Sequence, residues 1–183
     1  MRRKVVMKIS RILTSAGLLA SGVALASGTL GSAASAAPAK DCAPAQLRIS
    51  LGVSQGAAGT IYDPVVFTNT GPACTIFGVP AIQPVIGGAS HSHVAVGPPA
   101  RNMSMGQMPA MHVVKTGKSV SDAFAVVETG NYTTSTCLPK NARAIVVTMG
   151  NFVHHAYVPL KISVCTKKAS TSTRLIAAGT TGY

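Results

Sequence analysis

Apolar and polar residues alternate along this chain in short stretches separated by clusters of Gly, Pro, Asn and Ser. In "QLRISLGVS" the apolar Leu47, Ile49, Leu51 and Val53 fall on one face, with Gln46, Arg48 and Ser50 on the other. That is the pattern of a half-buried antiparallel strand. "GAAGT" turns the chain and "IYDPVVFTN" returns it, and Pro64 places the early part of the return at an edge or a bulge. Further strands are expected at 75–77, 82–86, 93–96, 111–115, 120–128, 142–149, 157–165 and 173–177, with no convincing helical period anywhere. The span 97–110, rich in Pro, Gly and Met, reads as one long irregular loop. The fold expected is all-β, an antiparallel sandwich of about 7–9 strands.

The same hairpins order the four cysteines. If 47–53 and 61–69 turn near Ala57, Cys42 and Cys74 meet at the open end of that hairpin. If 142–149 and 157–165 turn near Val153, Cys165 comes opposite Asn141, close to Cys137. The expected disulfides are therefore Cys42–Cys74 and Cys137–Cys165, one of three pairings that four cysteines allow. The spacing contains no Cys-x-x-Cys, which argues against zinc ribbons and thioredoxin-like chemistry.

The N-terminal pattern is different. Arg2, Arg3, Lys4, Lys8 and Arg11 precede an uncharged, mostly apolar run from Ile12 to about Leu30. Ala34-Ser35-Ala36 supplies small residues at a signal-peptidase site, so residues 1–36 read as a signal peptide cleaved after Ala36. The run is broken by Ser and Gly and has no cationic stop after it, which favours cleavage over a retained anchor. Cys42 lacks a lipobox, since Asp41 precedes it. Residues 37–183 then form a single domain in a secreted, extracellular or cell-wall-associated protein.

Charge sharpens this picture. The chain has 16 Lys and Arg against 4 acids; setting the five signal cations aside leaves eleven against Asp41, Asp63, Asp122 and Glu128, a net +7. There is no Trp, and the aromatics do not interleave with cations as a base-stacking platform would, so nucleic acid is not expected. The expected partners are anionic cell-envelope polymers or lipid headgroups.

The stretch "GAAGTIYDPVVFTNTGPACTIFGVPAI" resembles the signature of the secreted actinobacterial domain of unknown function 4232 family. Gly56, Ala57, Ala58 and Gly59 match the turn, and Phe67, Thr68, Asn69, Thr70 and Gly71 match the strand end. Cys74, Thr75, Gly78 and Pro80 follow, while Val79 and Ala81 depart from the usual aromatic and glycine. Weaker likeness continues through "GPPAR", "TGKSVSDAF" and the late cysteines. The resemblance implies an immunoglobulin-like sandwich in an exported, envelope-associated protein, and it implies no activity.

Catalysis finds little material. Four carboxylates are few for acid–base pairs, and every cysteine has an expected disulfide partner. "TGKS" (116–119) echoes a phosphate loop, but His112 stands where the first Gly is required and no helix is expected after it. No enzyme activity is expected. One stretch is chemically suggestive: "HSHVAVGPPARNMSMGQMPAMH" holds His91, His93, Met103, Met105, Met108, Met111 and His112. Four of the seven methionines fall within nine residues, and thioether and imidazole donors suit copper. An exported copper-binding or copper-buffering protein is thus the alternative to a non-catalytic binding module. Against copper stands methionine's ordinary use as an adaptable filler, here packing the loop on the sandwich end. His154-His155 reads as a surface turn, the sequons at Asn102 and Asn131 as chance, and Lys167, Lys168 and Arg174 as solvated charge.

Overall fold

The first hairpin forms as its alternation requires. β1 (Leu47–Leu51) pairs antiparallel with β3 (Thr60–Asn69), Leu47 opposite Asn69 and Leu51 opposite Val65. β2 (Gln55–Ala57) continues the edge with Ala57 opposite Thr60, a register one residue different, so residues 52–54 are a bulge. Pro64 lies across from that bulge, where its carbonyl accepts the Gly52 N–H at 2.7 Å. The ladder is interrupted where proline has no N–H to give. The bulge reading of Pro64 therefore holds, although β3 is not an edge strand. Val53, expected on the buried face, sits in the bulge and is exposed. Ala58 and Gly59 close the turn at φ 48° and 72°, the doubly positive geometry of a two-residue hairpin loop.

This computed structural model describes residues 39–88, 92–150 and 155–183. The expected signal segment 1–36 with its cleavage site, His91, Val153 and His154 lie outside the described residues. On the far flank of β3 runs β9 (Ser119–Val127), followed in the sheet by β12 (Thr171–Thr173) and β7 (Arg101–Asn102); β13 (Ala177–Ala178) also pairs with β9. The second sheet has the order β11 (Ala156–Cys165), β10 (Pro139–Thr148), β5 (Ala81–Ile86) and β6 (Val94–Ala95). A two-stranded ribbon joins β4 (Cys74–Ile76) to β8 (His112–Val114).

The sandwich is all-β as expected, with three differences. Thirteen strands form among the described residues, seven of them only two or three residues long. One pair, β7 with β12, is parallel. A short helix, α1 (Thr134–Cys137), ends at Leu138 in left-handed conformation.

The core lies between the sheets. Val65 and Phe67 of β3, and Val120, Phe124 and Val126 of β9, meet Ile82 of β5, Ile145 and Val147 of β10 and Val158 of β11. Leu47, Ile49 and Leu51 line its margin, on the face that alternation assigns them. β9 nevertheless buries both faces, because the C-terminal segment folds over the outer one. Gly182 donates its N–H to Ser121 Oγ at 2.8 Å, and Tyr183 packs near Tyr62 with ring centroids 6.1 Å apart.

Both disulfides pair as the hairpin argument expects. Cys42–Cys74 closes 32 residues and Cys137–Cys165 closes 28, each contributing about 3–4 kcal/mol through the unfolded chain. The second hairpin's register differs from expectation, since Cys165 stands opposite Pro139 rather than Asn141. Val147 stands opposite Ala156, three residues off the expected register, and a bulge between Ala142 and Ala144 takes back one of the three.

Candidate functional site

The family-like stretch is a structural joint. Asn69, fully buried at the end of β3, uses every hydrogen-bonding position of its amide. Its Nδ2 donates to the carbonyls of Pro72 and Val114, both at 2.8 Å, and its Oδ1 accepts from Gly71 N at 2.9 Å and Gln46 Nε2 at 3.1 Å. One side chain thus fixes the β3–β4 turn, the end of β8 and the N-terminal segment. The 116–119 stretch is bound to the same joint. Thr116 Oγ1 donates to the Gly71 carbonyl, Gly117 N–H to Asn69 O and Lys118 N–H to Lys115 O. Those amides are consumed, and a strand follows rather than a helix, so no phosphate cradle forms there.

The carboxylates are mostly spent on the fold. Asp63 accepts a hydrogen bond from Ser54 Oγ across the bulge, and exposed Asp41 accepts from Thr75 Oγ1 at 2.9 Å. Asp122 replaces a missing piece of ladder. The expected strand 173–177 is broken between β12 and β13, and opposite that break Asp122 accepts from Arg174 N and from Thr173 Oγ1, each at 2.7 Å. Burial lifts its carboxyl from 3.8 to about 6 against the lowering effects of the Thr173 and Arg174 hydrogen bonds and the Arg174 charge. All eleven Lys and Arg side chains among the described residues are exposed. Against them stand only Asp41 and Glu128 as exposed acids, so the surface is more one-signed than the net charge of +7 suggests.

Among the described residues, His93 and His112 lie apart, one on the outer face of the four-stranded sheet and the other on the β4–β8 ribbon. His93 packs over the outer face of the four-stranded sheet, 6.5 Å from the Tyr157 ring, and its buried Nδ1 has no hydrogen-bond partner among the described residues. His112 lies on β8, with Nε2 3.1 Å from the Ile176 carbonyl oxygen. His155 Nδ1 is 2.6 Å from Thr148 Oγ1. Among the described residues no three His, Cys, Asp or Glu side chains are placed to hold a metal. The methionines are not core fillers either: Met103, Met105, Met108 and Met111 are 53%, 84%, 91% and 67% exposed. Their thioethers project from the span 103–111, whose start is pinned by Ser104, the acceptor for the Leu175 N–H. The expected irregular loop is thus real, except that Arg101 and Asn102 form β7.

Two other features bear on binding. A cleft of about 320 Å³ opens where edge strand β1 approaches β10 and β11, lined by Pro44, Leu47, Ile49, Val147, Met149 and His155 among others. Its walls are apolar and hold no carboxylate. Of the basic tail, Lys167 Nζ donates to Ser135 O at 3.1 Å and Lys168 sits 4.1 Å from the Tyr132 ring centroid. The sequon residue Asn131 already donates through Nδ2 to Gly59 O.

No curated protein and no solved structure matches this chain. A family model does, that of a domain of unknown function, DUF4232, across residues 42–178. That span runs from the first cysteine to β13, and the chain belongs to the DUF4232 family of domains of unknown function.

Proposed function

We propose that the protein is an exported, non-catalytic binding module that associates with anionic cell-envelope polymers through its surface charge. The supporting observation is the exposure of eleven cations against two exposed carboxylates, the other two acids being buried in internal hydrogen bonds. In support, the apolar cleft beside β1 has His155 as its one titratable lining group, and Asp41 is the lone acid lining the hollow beside Phe77. Exposed charge contacts are screened within about 8 Å at physiological salt, so the association is salt-sensitive. Extraction of an envelope fraction across a salt gradient tests this. Release with rising salt is expected, and retention in concentrated salt would count against a charge-driven attachment.

A copper reading keeps one supporting observation, the freedom of the Met105 and Met108 thioethers from packing. Titration with Cu(I) against a competing chelator decides it. Affinity unchanged after replacement of Met103, Met105 and Met108 by Leu rules copper out.

A further inference from the structure

From Asn102 to Val114 the sequence carries no formal charge with histidine neutral, yet five large apolar side chains, Met103, Met105, Met108, Met111 and Val113, stand in solvent. Met105 and Met108, at 84% and 91% exposure, touch almost nothing in the fold. The surface continues onto the ribbon. Thr75 pairs with Val113 and Ile76 with His112, and the same register carried one step further sets Phe77 beside Met111. Side chains opposite one another in an antiparallel pair share a face, so exposed Phe77, Met111 and Val113 lie together. An exposed apolar group of this kind marks an interaction surface, since nothing in the sandwich needs it there.

The charges around it select the partner. Exposed Arg101 stands at one end of the loop and exposed Lys115 at the other, with Lys118 in the following turn, against one exposed acid, Asp41, which shares a hollow with Phe77. Exposed Arg174 borders the same region, sharing a surface hollow with Met103. We propose that the loop 103–111, with Phe77 and Val113 beside it, inserts into the interface of an anionic lipid bilayer while these cations engage the headgroups. This deepens the anionic-envelope reading and rests on it for its electrostatic part. A second copy of the chain is disfavoured by the repulsion between two such cationic rims. A folded protein partner would need a surface that envelops separate protruding side chains, whereas fluid hydrocarbon does so with no preformed groove. Methionine suits that role, being apolar, unbranched and adaptable. Apolar tips with a basic rim combine the two attractions that hold a peripheral protein on an anionic membrane.

The chain contains no Trp, so Met108→Trp places a single tryptophan in the loop, excited selectively over the four tyrosines. The full exported domain is mixed with vesicles of phosphatidylcholine alone or with phosphatidylglycerol, and its emission and co-sedimentation are followed. The expected result is a blue shift and quenching by brominated acyl chains with the anionic vesicles only. Met105→Ser with Met108→Ser should lower partitioning at least about tenfold, given what burying methionine contributes. The same pair changed to Leu should keep it, which separates apolar insertion from thioether chemistry. Retention on a soluble polyanion column, read in parallel, should be unaltered by either pair. Emission that stays water-like while the protein sediments overturns insertion and leaves charge adsorption standing. Absence of sedimentation despite polyanion retention overturns it equally, and loss of both removes the anionic reading along with it.

Discussion

Asp122 makes a quantitative prediction about pH. Thr173 Oγ1 lies 2.7 Å from Asp122 Oδ2 and 3.2 Å from the Pro80 carbonyl oxygen, yet a hydroxyl has one proton for two acceptors. A proton on Asp122 resolves the conflict: the acid donates to Thr173 Oγ1, which then donates to Pro80. Burial pushes in the same direction, raising the carboxyl to about 6 from 3.8. Because the folded pKa lies above the unfolded one, the folded state holds the proton where the unfolded chain has lost it. Stability is therefore greatest below the unfolded pKa, falls as pH rises through this window, and levels off above about 6. The full difference corresponds to about 3 kcal/mol, on the order of 1.4 kcal/mol per pKa unit. The groups facing the carboxyl are the Thr173 hydroxyl, the Arg174 amide and, at longer range, the Arg174 guanidinium and the Tyr183 phenol. Asp122→Asn imitates the protonated acid, with an amide donor toward Thr173 and an oxygen toward the Arg174 N–H. Urea denaturation followed by far-UV circular dichroism, disulfides intact, should find the two proteins close at pH 4. At pH 7.5 the variant should be more stable by about 2–3 kcal/mol. A gap that does not change between those pH values would falsify the assignment.

Three further substitutions probe other joints. Asn69→Asp turns two donors into acceptors facing the Pro72 and Val114 carbonyls, and should cost about 4 kcal/mol by denaturant titration, since each buried carbonyl left unpaired costs about 1–3. Ala58→Asn places a residue that tolerates positive φ at a position held at 48°, and should stabilise the first hairpin by about 0.5–1 kcal/mol, visible as a higher melting temperature. Gly182→Ala would set a Cβ 2.8 Å from Ala123 Cα at a φ of 83°; amide exchange should then rise along the C-terminal segment while β3 and β10 keep their protection.

The sequence was most informative where alternation ran uninterrupted. Leu47, Ile49 and Leu51 marked the face turned to the core, while a turn at Ala58 and Gly59 in place of Ala57 moved the β1–β3 register by two residues and brought Cys42 in line with Cys74. It was less informative where a bulge entered. Gly52 and Ser54 gave no sign that Val53 would turn outward, and nothing beside Arg143 announced the one-residue shift of the β10–β11 ladder there. Two-residue strands such as β7 and β13 are too short to show any period, and their pairing is decided by tertiary neighbours. Asp122 reads from sequence as an ordinary polar strand residue. Its role depends on the gap between β12 and β13, a feature some fifty residues away along the chain. Of the candidate metal ligands, local spacing located the methionines in one loop, while the fold put His112 on the β4–β8 ribbon and His93 just before β6.

The disulfide connectivity also bears on how such a chain matures. Each bond joins two cysteines that are neighbours in order along the polypeptide, the first with the second and the third with the fourth. A chain threaded N-terminus first into an oxidising space exposes Cys42 and Cys74 well before Cys137 appears. Oxidation in order of emergence then yields the native bonds directly, with no reshuffling by an isomerase. In a chain exported that way, the first sheet edge is fastened before the second hairpin emerges.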